Sequence, residues 1–186
     1  MLKTICIVLL MSISSQAIVE SQIQKVMDKK VHQVLNILKN KSLSQKQKEK
    51  KSTLVMDSVF DYATMSKISL GKKWKTLSAT EKKQFTNAFE KKIKHSYIDK
   101  LRLYNNQKIK IMALKKPKNT RITLENEIIG KTDTYKVLYL FYKKKKTSQW
   151  YIYDVKLAGV SIIQTYRKQF TSFLKTKSFK ELVNSL

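Results

Sequence analysis

Apolar residues recur at helical spacing through the first hundred positions and then switch to alternation. Val19, Ile23, Val26, Val31, Val34, Leu35 and Leu38 fall mostly three or four apart, which predicts an amphipathic helix from Val19 to Leu38. Ser44 and Gln47 have the spacing of a capping box, ahead of a segment, 45–60, that opens with lysines and ends apolar. A short helix is predicted from Asp61 to Leu70, stopped by Gly71 in the manner of a left-handed cap. Ser78 and Glu81 repeat the capping box and open the longest helix, from Ala79 to about Tyr104. Phe85, Ala88, Phe89, Ile93, Tyr97, Leu101 and Tyr104 share one slowly drifting face of it.

From about Lys108 the period is two. Ile109 and Ile111 alternate with lysines, and Ile122 and Leu124 with Arg121, Thr123 and Glu125; two denser strands follow at Tyr135–Tyr142 and Trp150–Leu157. Short connections at 115–119 (with Pro117), 130–134 and 143–148 imply an antiparallel meander of about four strands. Gly159 ends the last strand, a helix is predicted from about Val160 to Lys175, and Ser178 with Glu181 caps a final helix ending at Leu186. The fold class is therefore α+β, a curved antiparallel sheet packed with helices and preceded by a helical part.

The last two strands break the rule for a sheet with one wet face. Val137, Tyr139 and Phe141 point one way while Leu138 and Leu140 point the other, and Tyr151 and Tyr153 oppose Ile152. Both faces need apolar cover. Either helices pack on both sides, or the sheet curls around an apolar cavity that takes a greasy ligand. Periodicity does not separate the two.

At 186 residues with 42% hydrophobic side chains, the chain is long enough for one well-filled domain. Three glycines and one proline exclude collagen-like, linker-rich and Gly-loop nucleotide-binding architectures. Lys3, the apolar run Ile5–Met11 and the ending Ser15-Gln16-Ala17 have the layout of a secretory signal peptide, too short to span a bilayer. Cleavage after Ala17 removes Cys6 and leaves residues 18–186 as a single exported domain without cysteine. Net charge is +26, yet Arg102, Arg121 and Arg167 are the only arginines; the rest of the basic residues are lysine. Nucleic-acid readers lean on arginine forks, so a lysine excess on an exported chain argues against nucleic acid as the partner.

The chemistry of catalysis is absent from the motifs. His32 and His95 lie on predicted helices with no motif around them, and there is no G-x-S-x-G, H-E-x-x-H or EF-hand loop. Asp57 and Asp61, four apart, are expected to pair with lysines. Neither a metal site nor a general acid–base pair is supported, so the chain reads as a binding protein rather than an enzyme. In a meander the first and third connections share one end. Lys115, Lys116 and Lys118 then meet Lys143, Lys144, Lys145 and Lys146 at one rim, either to keep hairpin tips soluble or to steer toward an anionic surface.

Phe60-Asp61-Tyr62, Met65, Leu70-Gly71-x-x-Trp74, Glu81-x-x-x-Phe85-x-x-x-Phe89 and Tyr97 resemble the first half of the MlaC family, also known as toluene-tolerance proteins. The second half agrees through Trp150-Tyr151-Ile152-Tyr153-Asp154-Val155, Gly159-Val160-Ser161-Ile162-Ile163 and Tyr166-Arg167-Lys168-Gln169-Phe170. The resemblance covers about Val55 to Leu174, with Thr165 standing where the family usually has Asn. It implies a fold related to nuclear-transport-factor-2-like proteins, no enzymatic activity, no cofactor, and phospholipid as cargo in an apolar cavity. It further implies a periplasmic shuttle between an outer-membrane lipoprotein–porin complex and an inner-membrane ABC transporter with its periplasmic substrate-binding ring, maintaining outer-membrane lipid asymmetry. The candidate lining is Phe85, Phe89, Tyr97, Ile111, Leu124, Val137, Leu138, Tyr139, Leu140, Phe141, Ile152, Val155, Val160 and Ile163, without a choice between strand faces. Arg167 and Lys143 to Lys146 are candidates for headgroup contact or docking, with an ion pair from Arg167 to Asp154 or Asp61 as the structural alternative.

Overall fold

Each half of the chain folds on the period its sequence shows. A computed structural model describes residues 18–102, 107–131 and 133–186, and of 97–102 the backbone alone. The expected leader, 1–17 with Cys6, and the side chain of Tyr97 therefore lie outside the described residues. Strand β1 (Ile18–Val19) precedes helices α1 (Ile23–Lys39), α2 (Gln45–Asp57), α3 (Tyr62–Leu70) and α4 (Ala79–Arg102). Strands β2 (Lys108–Lys118), β3 (Arg121–Ile129), β4 (Thr134–Lys143), β5 (Gln149–Leu157) and β6 (Val160–Ser161) follow, then α5 (Ile162–Phe173) and α6 (Phe179–Asn184). The result is an α+β fold: a curled antiparallel sheet in the order β1-β5-β4-β3-β2, packed with helices. Among the described residues no helix is long and apolar enough to cross a membrane.

Apart from Val160 and Ser161, expected to open a helix but paired with Leu157 and Lys156 as β6, two boundaries differ from the sequence reading, each for a backbone reason. The first helix starts at Ile23 rather than Val19, because Ile18 and Val19 pair with Trp150 and Gln149 as a short strand. β5 would otherwise expose its outer edge there. Farther along the same edge, Ile152 N–H donates to the Val59 carbonyl at 2.8 Å and its carbonyl accepts from Asp61 N–H at 3.0 Å; β6 covers Lys156 and Leu157. The second difference is Pro117, expected in a loop but carried inside β2. β2 is the outermost strand, so a missing N–H is tolerated, and the register slips between Lys115 and Lys118 around it.

The caps read from sequence form as spaced. Ser44–Gln47, Ser78–Glu81 and Ser178–Glu181 each close a reciprocal capping box. Gly71 ends α3 at φ +57° and ψ −122°, a glycine conformation outside the left-handed helical cap expected, and the guanidinium of Arg167 lies over it so closely that a Cβ would stand 3.2 Å from Nε. Leu-Gly from the first half of the chain and Tyr-Arg from the second thus meet at one spot. Ala158 and Gly159, at φ 48° and 84°, form the two-residue turn between β5 and β6.

Two apolar clusters result. Ile23, Met27, Val34 and Leu38 of α1, with Met56 and Val59, pack on Ile122, Leu124, Phe141, Trp150 and Ile152 of the sheet. A second cluster lies among the helices: Met65, Leu70, Phe85, Phe89, Ile163, Phe170 and Leu182, with Leu77 from the loop before α4. Its aromatic rings interlock, with Phe85 and Phe89 each edge-on to Phe170 at 5.6 and 5.4 Å. Phe60 touches both clusters at the β5 edge.

Candidate functional site

Strand register sorts the two faces that periodicity left open. Across β3, β4 and β5 the pairs are Ile122–Phe141–Ile152, Leu124–Tyr139–Val155 and Asn126–Val137–Leu157, with Ile111 of β2 opposite Asn126. These residues share one face, the one packed by α1. Leu138 and Leu140 lie on the other, beside Glu125, Thr123 and Lys156, and are half-buried.

Of the fourteen candidate lining positions in the sequence, the structure thus gathers Ile111, Leu124, Val137, Tyr139, Phe141, Ile152 and Val155 on a single surface. Of the others, Tyr97 lies outside the described side chains, and the remaining six are not brought to that surface. Leu138 and Leu140 point the opposite way; Phe85, Phe89 and Ile163 are fully buried in the helical cluster. Val160 is 62% exposed, because the β5–β6 turn carries it past the sheet edge.

Cover along this face is uneven. Near the 143–148 hairpin, Ile122, Phe141, Trp150 and Ile152 are shut in, at most 1% exposed. Toward the 130–134 turn the packing loosens: Ile128, Val155 and Leu157 keep accessible surface and Tyr135 is 36% exposed. Val26 of α1 and Val55 of α2, with Ile111, Tyr139 and Val155, pack on the first cluster without being closed by it. Tyr139 lies so deep that desolvation pushes its phenol up to about 12, and still part of its surface is uncovered. A deep apolar surface left partly uncovered is what a dry ligand requires. Asn126, which the sequence reading passed over, sits within it at 1% exposure, its Oδ1 without a partner. The signal was there: Asn126 takes the next inward step after Ile122 and Leu124, where alternation calls for an apolar residue.

Around this surface the polar groups are structural. Asp61 caps α3, accepting from Thr64 N–H at 2.8 Å and from the Tyr142 hydroxyl. Burial, then the Asp61 contact, push Tyr142 up to about 12. Asp154 accepts from Ser161 Oγ at 2.5 Å, Val155 N–H at 2.8 Å and Ile163 N–H at 3.1 Å, tying β5 to the start of α5. Neither carboxylate is Arg167's partner, which corrects the ion pair weighed from sequence. Asp57 does bind a lysine: Lys94 Nζ lies 2.6 Å from it and from Glu90. Burial alone would lower Lys94, but these hydrogen bonds outweigh it and raise it. Among the described residues no three His, Cys, Asp or Glu side chains are placed to hold a metal.

The raised phenols set a pH dependence. An unfolded tyrosine ionises near 10, a folded Tyr139 or Tyr142 near 12, so their contribution is complete below about 10 and lost as pH rises through about 12. Chemical denaturation followed from pH 9 to 12 is expected to show stability falling steadily, and a Tyr142→Phe variant to fall less steeply.

The lysine rim forms as the meander implies. Lys143 N–H donates to the Thr120 carbonyl at 3.1 Å, tying the 119–120 and 143–148 turns together. Lys116 pairs with Glu20 at 2.5 Å; Lys144 lies 5.5 Å from the Tyr151 ring centroid and Arg121 5.4 Å from that of Tyr153. Held by rings and a carbonyl, these last two cations have no carboxylate partner among the described residues. The rim stands at the tightly packed end of the face, away from the loosened one.

The family model for MlaC protein matches residues 28–186. A similar curated protein is the intermembrane phospholipid transport system binding protein MlaC of Haemophilus influenzae, 28% identical over 141 residues, 72% of this chain. The match spans 65% of the length of that relative. Among solved structures, a phospholipid-binding protein from Ralstonia solanacearum, in complex with a phospholipid, superposes with a TM-score of 0.73 at 18% identity. The likeness covers 87% of this chain and 92% of that one, and shows a shared fold.

Proposed function

The chain belongs to the MlaC family, and we propose that it is a periplasmic phospholipid carrier. Acyl chains lie against the loosened part of the Tyr139 face, and no chemistry is done on them. The observation that supports this best is the partly uncovered apolar surface around Ile111, Tyr139 and Val155, whose depth also pushes the Tyr139 phenol up to about 12. That the Haemophilus protein serves phospholipid transport and the Ralstonia protein holds a phospholipid supports the same cargo.

Energetics make such a protein a carrier that docks. Two acyl chains carry on the order of 30 methylenes at about 0.8 kcal/mol each, roughly 24 kcal/mol against water. That exceeds the ceiling of about 18–21 kcal/mol for non-covalent affinity, so lipid does not pass through free water at a useful rate. Against a bilayer or a partner's apolar tunnel a dry cavity is nearly neutral, and exchange proceeds by direct contact. The partners in this reading are an outer-membrane lipoprotein–porin complex and an inner-membrane ABC transporter with its periplasmic ring. The rim of Lys143 to Lys146 serves docking rather than headgroup contact, since it stands at the closed end.

Protein exported to a periplasm and purified without detergent is expected to release close to one two-tailed phospholipid per chain on solvent extraction, read by mass spectrometry. A denatured and washed sample is the control. An empty protein, or one filled with a different hydrophobic compound, would sink the phospholipid reading.

A further inference from the structure

We propose that Asn126 is the residue that contacts the acyl-ester carbonyls of the bound lipid, an inference that rests on the carrier function above. The chain then distinguishes ester-linked lipids from hydrocarbon of the same shape.

Asn126 stands where an apolar residue is expected, on the inward face of β3 after Ile122 and Leu124, with Ile111 and Val137 as its cross-strand neighbours. It is 1% exposed, and its Oδ1 has no hydrogen-bond partner. An unpartnered buried amide costs stability, so it persists where something else completes it. Other buried side-chain atoms without a partner do not share this setting. The hydroxyls of Ser52, Thr53 and Ser66 lie on helices, and Trp150 Nε1 lies in the tightly packed end. Asn126 sits instead at the boundary between the closed and the loosened part of the face, beside the uncovered surface of Ile111 and Tyr139.

A glycerophospholipid offers one kind of polar group at the junction of its tails: the ester carbonyl, which accepts and does not donate. An asparagine amide answers with either edge, because oxygen and nitrogen are nearly isosteric and the terminal torsion is soft. As placed, the unpartnered Oδ1 is an acceptor and cannot meet a carbonyl; turning the amide over exchanges it for Nδ2–H, which donates to the carbonyl oxygen with no charge and no change of volume. A carboxylate at this position would repel the carbonyl; a leucine would leave it unpaired in a dry site.

The test is a competition between two lipids of equal headgroup and chain length, one diester and one diether, offered together in mixed vesicles. Bound lipid is quantified after the protein is recovered. The wild type is expected to favour the diester by about tenfold, the worth of one hydrogen bond made in a dry site. Asn126→Leu is expected to bring the ratio to about one, while its thermal midpoint holds or rises as the unpartnered atom is removed. A merely structural asparagine would do neither, and Asn126→Ala serves if the leucine variant folds poorly.

A wild-type ratio near one overturns the proposal, and leaves Asn126 to a trapped water. So does an unchanged preference in the variants. Wild type that takes up neither lipid overturns the carrier function itself, which separates the two failures.

Discussion

Phe141→Ala is expected to lower the unfolding free energy by about 3–5 kcal/mol, out of the roughly 5–15 kcal/mol a domain of this size has in hand. The ring is 0% exposed and fills the space between α1 and three strands, where a helix pinned against the sheet cannot collapse into the gap. Val155, one step along the same face, should behave differently. It is only partly covered, so Val155→Phe adds volume into open space; we expect a stability change within about 1.5 kcal/mol and a fall in retained phospholipid of roughly tenfold or more. Leu140→Lys, half-buried on the opposite face beside Asp154, should lower stability but leave retained phospholipid close to wild type. Read together by denaturant unfolding and lipid mass spectrometry, the three separate core, ligand surface and outer face. Equal lipid loss from Val155→Phe and Leu140→Lys would refute the assignment of faces.

The second large effect is at Asp154. Its carboxylate is 4% exposed and accepts three hydrogen bonds, two from backbone amides and one from the Ser161 hydroxyl. Bonds to a charged acceptor contribute more than neutral ones, and removing it leaves the Ile163 N–H buried and unpaired. Asp154→Ala is expected to cost about 3–4 kcal/mol, Asp154→Asn about half as much, because the amide keeps an acceptor for the backbone. Urea midpoints check this, with equal loss in the two variants as the result that would remove charge from the account. Lipid retention should fall as well, since the bond to Val155 N–H fixes how β5 presents Val155.

That last link shows where sequence reading ran out. Strict alternation from Ile152 turns Asp154 inward and Val155 outward. In the structure Ile152 pairs with Phe141 and Asp154 with Leu140, so Tyr153 is an extra residue in β5. This bulge resets the alternation and puts Val155 on the same face as Ile152. Whether a bulge forms depends on the partner strand and on the groups waiting for the displaced carboxylate, here Ser161 and the start of α5. None of these is local to β5. Phe85, Phe89 and Ile163 mislead for a related reason: their spacing declares an apolar face but not whether helix or sheet covers it.

What the sequence by itself determined is what depends on neighbours a few residues away. Helical spacing, three capping boxes, the Gly71 stop and the two-residue period are local, and all appear in the fold. The MlaC resemblance was legible in the same way, from motifs at fixed spacing. Tertiary structure alone decided which face of the sheet α1 closes, how far that cover extends, and that Asn126 lies unpartnered inside it. Those depend on register and on helix placement between segments more than a hundred residues apart, where a one-residue shift sends every side chain of a strand to the other side.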